Sequence, residues 1–190
     1  MRKLIAAIMV AGMAFFVLAV LASAQEGEKE AAKEAVHQYV GAAKCKVCHN
    51  SEAKGAQYAK WEASKHSKAY EVLASEEAVA VGKKLGVDNP QTSDKCLICH
   101  VTGFSAPAEA KAESFDQTEG VGCEACHGPG SDYKSMKIMK DVDAAMAAGL
   151  TMPNEETCKG CHNEKSPTFK EFNFAEAFKI IAHPYPEKKE

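Results

Sequence analysis

Every cysteine in this chain belongs to a C-x-x-C pair, and a histidine follows each pair at once: CKVCH at 45–49, CLICH at 96–100, CEACH at 123–127 and CKGCH at 158–162. On one helical turn residues i and i+3 share a face, so the two thiols of a pair can reach the two vinyl groups on one edge of a porphyrin. The histidine at i+4 then lies beneath the ring, where its imidazole binds the iron. Four repeats of this spacing read as four covalent heme attachments. The expected thioether residues are Cys45, Cys48, Cys96, Cys99, Cys123, Cys126, Cys158 and Cys161, with His49, His100, His127 and His162 as proximal iron ligands. The expected cofactor is four covalently attached c-type hemes.

Two other uses of C-x-x-C pairs compete less well. Zinc ribbons do not require a histidine after every pair, and thiolate sites suit a reducing space better than an exported chain. Thioredoxin-like redox pairs would need a matching set of strands and helices that the sequence lacks.

Export is expected from the first 24 residues. Met1-Arg2-Lys3 is a short basic start, 4–21 is an uncharged apolar run, and Ala22-Ser23-Ala24 has the small-x-small form of a signal peptidase site. An uncleaved anchor competes, because the run is near the lower limit for spanning a bilayer. The Ala-Ser-Ala end and the abrupt change to QEGEKEAAKEA favour cleavage after Ala24, with no stable membrane insertion afterwards and a periplasmic product. The expected organisation is a signal peptide at 1–24, a lead segment at 25–44 and a tetraheme domain at 45–190.

Losing Arg2 and Lys3 from 23 basic residues, against 26 acidic ones, moves the formal charge from -3 to -5. That balance gives no basic excess for nucleic acid. The remaining 166 residues make one domain, alanine-rich and with a single tryptophan, Trp61. Such a chain supplies few large apolar groups, so the porphyrins are expected to become its core. The fold class follows: mainly α, short helices and loops wrapped around four covalently bound c-type hemes, with little or no β-sheet. Spacings of 51, 27 and 35 residues between first cysteines are too uneven for a solenoid. Ser93 or Asp94 and Asn154 stand where helix N-caps belong, and Gly128-Pro129-Gly130 ends the third attachment helix.

Each iron also needs a ligand on its other face. Outside the motifs the histidines are His37, His66 and His183, too few for four irons, and the methionines after the leader are Met136, Met139, Met146 and Met152. His66 lies in KWEASKHSKAYEVLASEEAVAVGKKLG, 60–86, which reads as one helix with Trp61, Tyr70 and Leu73 facing inward. His183 follows the amphipathic FNFAEAFKIIA, and Pro184 ends that helix. His37 lies in a charged stretch where solvation competes with ligation. Met136 and Met139 can supply a thioether ligand, which raises a heme's potential, or can simply pack against porphyrin edges. Met146 and Met152 read as packing.

The four motifs, W-x-x-x-x-H at 61–66, CHVTGF at 99–104, GVGCEACHGPG at 120–130 and a histidine after a C-terminal apolar helix together resemble the tetraheme cytochrome c-554 family. The resemblance covers nearly all of the mature chain, and GVGCEACHGPG is its most specific element. It implies that His66 binds the iron of the fourth motif and His183 that of the third. It also implies an open iron on His100, covered by 166–169. The chain departs from the family at the first motif. There Met136 or Met139 stands where a histidine is usual, and His37 competes. The implied function is single-electron transfer between periplasmic or membrane-bound redox proteins, with no acid-base constellation. Two rivals are a heme enzyme that reduces a small ligand such as nitric oxide at the open second site, and a subunit of an extracellular heme filament.

Overall fold

The computed structural model describes residues 36–183. The leader expected at 1–24, the first part of the lead segment and Pro184 lie outside the described residues. Within them the chain forms α1 (Ala42–His49), α2 (Gln57–Glu62), α3 (Glu76–Lys84), α4 (Asp94–His100) and α5 (Cys123–His127), then α6 (Met136–Met139), α7 (Val142–Ala147), α8 (Glu155–Lys159) and α9 (Phe174–Ile181). Between them lie six short 3₁₀ turns. The only strand-like feature among the described residues is an isolated parallel bridge between Tyr39 and Lys111. The fold is therefore mainly α without a sheet, as the sequence leads one to expect. Among the described residues no helix is long and apolar enough to cross a membrane.

Helices of four to nine residues are marginal by themselves, so side-chain caps matter here. Asn154 caps α8 through a reciprocal box with Thr157, Asn173 caps α9 by accepting from the Glu176 amide, and Asp141 caps α7 through the amides of residues 143 and 144. Ser93 stands at the N-cap of α4 but makes no side-chain cap bond.

The single helix expected at 60–86 does not form. The Ser67 hydroxyl donates to the Glu62 and Ser64 carbonyls at 2.8 and 2.9 Å, and the Ser64 hydroxyl accepts from the His66 amide at 3.2 Å. These local bonds replace the helical ladder. The segment breaks into α2, 3₁₀ turns at His66–Lys68 and Glu71–Ala74, and α3, which starts afresh at Ser75 with its side chain accepting from Ala78.

The buried apolar set is small in both number and size. It comprises Val40, Ala42, Ala69, Leu73, Val87, Val101, Ala110, Tyr133 and Ala145. Side chains of this volume make a thin core for a domain of this length, in keeping with the composition.

The polar junction at 120–122 ties the domain together. The Trp61 indole N–H donates to the Val121 carbonyl at 2.8 Å, the Val121 amide donates to the His66 carbonyl at 3.0 Å, and the Gly122 amide donates to the Thr102 hydroxyl at 2.7 Å. Three stretches far apart in sequence, around Trp61–His66, Thr102 and Gly120, thus meet at one point. Gly120 has φ of +76° and ψ of -138°, and a Cβ there would lie 2.8 Å from the His66 carbonyl oxygen. Backbone in this region costs a non-glycine residue about 1–3 kcal/mol before any clash is counted. Gly120→Ala is therefore expected to destabilise the protein by about 3 kcal/mol or more, read as a lowered midpoint in thermal unfolding. A melt within two degrees of the parent would contradict this reading of the junction.

Candidate functional site

The four motif segments each place a histidine at the end of a short helical turn, and three of these imidazoles are pinned at Nδ1. The Nδ1 of His100 donates to the Ala69 carbonyl at 2.5 Å, that of His127 to the Thr151 carbonyl at 3.0 Å and that of His49 to the Gln57 side-chain oxygen at 3.3 Å. Each partner oxygen accepts, so Nδ1 carries a ring proton, and a neutral ring held this way offers Nε2 as its donor atom. That tautomer is the metal-binding one. The His162 ring is instead stacked on Phe172, with centroids 4.9 Å apart and planes 13° from parallel.

Two of these rings face a remote imidazole. His66 lies 6.0 Å from His162, centroid to centroid, and His183 lies 5.9 Å from His127. An imidazole nitrogen binds a metal at about 2 Å and lies about 1 Å from its ring centre, so two imidazoles on opposite sides of one ion have centres about 6 Å apart. Both separations match, and with the paired thiols beside them the residues fit a covalently attached heme iron. Burial, then the neighbouring His162, holds the His66 imidazolium below its ordinary pKa, and burial followed by His127 does the same for His183. Both rings are kept in the neutral form a metal requires.

Local structure explains both placements. The turn that carries His66 also offers the Ala69 carbonyl to His100, so one 3₁₀ turn serves two motifs. Helix α9 carries its aromatic residues in a Phe174–Phe178 pair, and its last carbonyls are met by Lys60, whose Nζ lies 3.4 Å from the Ala182 oxygen. That contact ties the end of α9 to α2, next to the position of His183.

All eight cysteines are half-buried, and none pairs with another in a disulfide. Their mutual contacts show which motifs are neighbours. Cys45 lies beside Cys123, Cys99 lies beside Cys161, and Cys126 lies within electrostatic range of Cys158. Burial, then Cys99, pushes the Cys161 thiol up to about 12. The first motif is thus beside the third, the third beside the fourth, and the fourth beside the second.

The remaining expected residues are less concentrated. Met136 and Met139 bracket α6, which Ser135 caps, and Met136 is exposed. The His37 Nδ1 donates to the Asp132 carboxylate at 2.7 Å, and its ring packs over Gly149, next to the Thr151 loop that holds His127. The segment 166–169 is a tight turn closed by the Phe169 amide donating to the Ser166 carbonyl at 3.0 Å. Among the described residues, no imidazole or aromatic ring contact faces His49 or His100.

Glu124, between the third pair of cysteines, was not visible as a key residue from sequence. It is only 3% exposed. Its carboxylate accepts from the Val40 amide at 2.9 and 3.0 Å, the Gly41 amide at 2.8 Å and the Gly130 amide at 2.6 Å. Glu119 does the same for the Ala42 amide at 2.9 and 3.0 Å. Together the two acids clamp the start of α1 onto the third motif. The one sequence signal was an acid placed inside a glycine-bounded motif, where a solvent-facing residue is the usual expectation.

Comparison with known proteins agrees with the geometry. Residues 44–128 match the sequence profile of the family described as cytochrome c554 and c-prime. Cytochrome c-554 of Nitrosomonas europaea is 31% identical over 140 residues, a match that takes in 65% of this chain and 57% of that protein, so little more than half of its length. The solved structure of reduced cytochrome c554 from Nitrosomonas europaea superposes with a TM-score of 0.51 at 26% identity, covering 77% of this chain and 79% of that one.

Proposed function

We propose that this chain, a relative of the tetraheme cytochrome c-554 family in sequence and in fold, is a periplasmic c-type cytochrome that carries single electrons between redox proteins. The observation that supports this most directly is the pair of histidine couples, His66 with His162 and His127 with His183, each joining a motif histidine to a remote imidazole at the separation of two ligands on one metal. When bound, heme c supplies a one-electron couple between ferric and ferrous iron.

The chain's own residues do the holding and the spacing. Four cysteine pairs would fix four groups, and His49, His100, His127 and His162 would each offer a ring nitrogen to one face, three of them oriented through Nδ1. His66 and His183 would close the other face of two sites, which would leave no position there for a substrate. The neighbour order of the motifs, first to third to fourth to second, gives every site at least one close neighbour for electron exchange. At the first site Met136 or Met139 would supply the second iron ligand, with His37 as competitor. The partners are other periplasmic or membrane-bound redox proteins.

A second reading attaches to His100. Among the described residues no ring faces it, so an open iron there would take a small ligand such as nitric oxide. The carrier reading is tested by counting covalent heme in protein exported from a host with heme-attachment machinery. Pyridine hemochrome and intact mass should give four per chain, on a polypeptide that starts at Gln25. Three or fewer on a fully folded chain would contradict it.

A further inference from the structure

We propose that Glu119 and Glu124 are fixed anionic charges that hold down the reduction potentials of the two hemes attached through Cys45 and Cys123, an inference that rests on the heme-attachment reading above. Glu124 sits inside the third motif, and its carboxylate reaches the amides of Val40 and Gly41, just ahead of the helix that carries Cys45. Glu119 reaches the first amide of that same helix, Ala42. The pair therefore lies between the first and third motifs, where the Cys45 and Cys123 thiols meet.

Among the described residues neither carboxylate has a lysine, arginine or histidine as an ion-pair partner. Every hydrogen bond they make is to a backbone amide. Burial raises the Glu119 carboxyl above its ordinary value, with the Ala42 amide opposing that rise. At a pH above that raised range the amide satisfies the oxygens but carries no net charge, so the negative charge remains to act on its surroundings. Its reach is visible at the sulfurs. The Cys123 thiol is pushed well up by its contact with Cys45, by burial and by Glu119, and both carboxylates act in the same direction on Cys45. A ferric site is one unit more positive than a ferrous one. Buried anions beside it, weakly screened by salt, favour the ferric state and lower the potential.

Glu119→Gln and Glu119→Asp test this without removing the more deeply buried acid. The experiment is a spectroscopic redox titration of holoprotein at a pH well above the carboxylate range, after hemochrome counting. Glu119→Gln should move the reduction equilibrium of the hemes on Cys45 and Cys123 about tenfold toward the ferrous form, which is about 59 mV for one electron. Glu119→Asp, which keeps the charge, should stay within about threefold. A Gln variant with full heme content and unmoved potentials would overturn the proposal, as would equal shifts in both variants, since that is the signature of a purely structural role. If the Gln variant fails to load heme, the redox-induced infrared difference spectrum of the unmodified protein decides. Ionised carboxylate bands that respond to reduction support the proposal, and their absence overturns it. A parent chain without covalent heme fails at the hemochrome count, which marks failure of the underlying reading and not of the charge argument.

Discussion

Glu124→Ala yields little or no folded holoprotein. The substitution removes the acceptor for the amides of Val40, Gly41 and Gly130 at once. Leaving a buried donor unpaired costs about 1–3 kcal/mol, so three amount to roughly 3–9 kcal/mol. A domain of this size has about 5–15 kcal/mol in hand. Water cannot readily take the carboxylate's place, because Val40 and Glu124 are 4% and 3% exposed. Glu124→Gln keeps one acceptor oxygen but turns an amide N–H₂ toward backbone donors, so it falls between parent and alanine. Yield of heme-loaded protein and the thermal midpoint read the effect. An alanine variant that melts within a few degrees of the parent would show that the clamp between α1 and the third motif is dispensable.

The second large effect is expected at the two remote imidazoles. His66→Ala and His183→Ala should each convert one low-spin heme into a site that is high-spin or open to carbon monoxide, with added imidazole restoring the low-spin spectrum. The fold should survive His66→Ala, because the junction with Val121 uses the His66 backbone carbonyl and not its ring. Structural and ligand roles therefore separate at this residue. His183→Ala leaves the Lys60 contact with the Ala182 carbonyl in place, so α9 keeps its anchor. If both variants retain every low-spin signal and gain no carbon monoxide binding, the pairing of His66 with His162 and His183 with His127 is not a ligand arrangement.

What could be read in advance follows the range of the forces involved. The C-x-x-C-H spacing is local covalent geometry, so the chain alone was enough to propose the attachment residues, and the short-helix, sheet-free fold class was legible from it. The capping role of Asn154 was legible for the same reason, since its partner Thr157 is three residues away. The break at Ser64 and Ser67 was hidden by apolar spacing that continues a helical period through them. The Ser67 hydroxyl bonding to carbonyls and the Ser64 hydroxyl accepting the His66 amide outweigh that pattern. Glu124 was hidden more deeply, because the amides of Val40 and Gly41 it binds lie more than eighty residues earlier. No periodicity marks an acid whose partners are backbone groups. The convergence of Trp61, Thr102 and Gly120 on one junction was equally unreadable, yet it gives those motifs their physical sense. The glycines of GVGCEACHGPG admit close approach of other backbone, as at Gly128, whose φ is +77° and whose added Cβ would meet the Gly149 carbonyl at 2.8 Å.

Closure of two sites on both faces by imidazole is tested most directly by a carbon monoxide difference spectrum of the fully reduced, unmodified protein, with bound heme counted against total heme. Binding at one heme in four, or at two if a methionine at the first site is displaced, is the predicted result. It leaves the irons of His127 and His162 closed by His183 and His66. Binding at three or four hemes would contradict the account, because at least one of those couples would then not be a ligand pair.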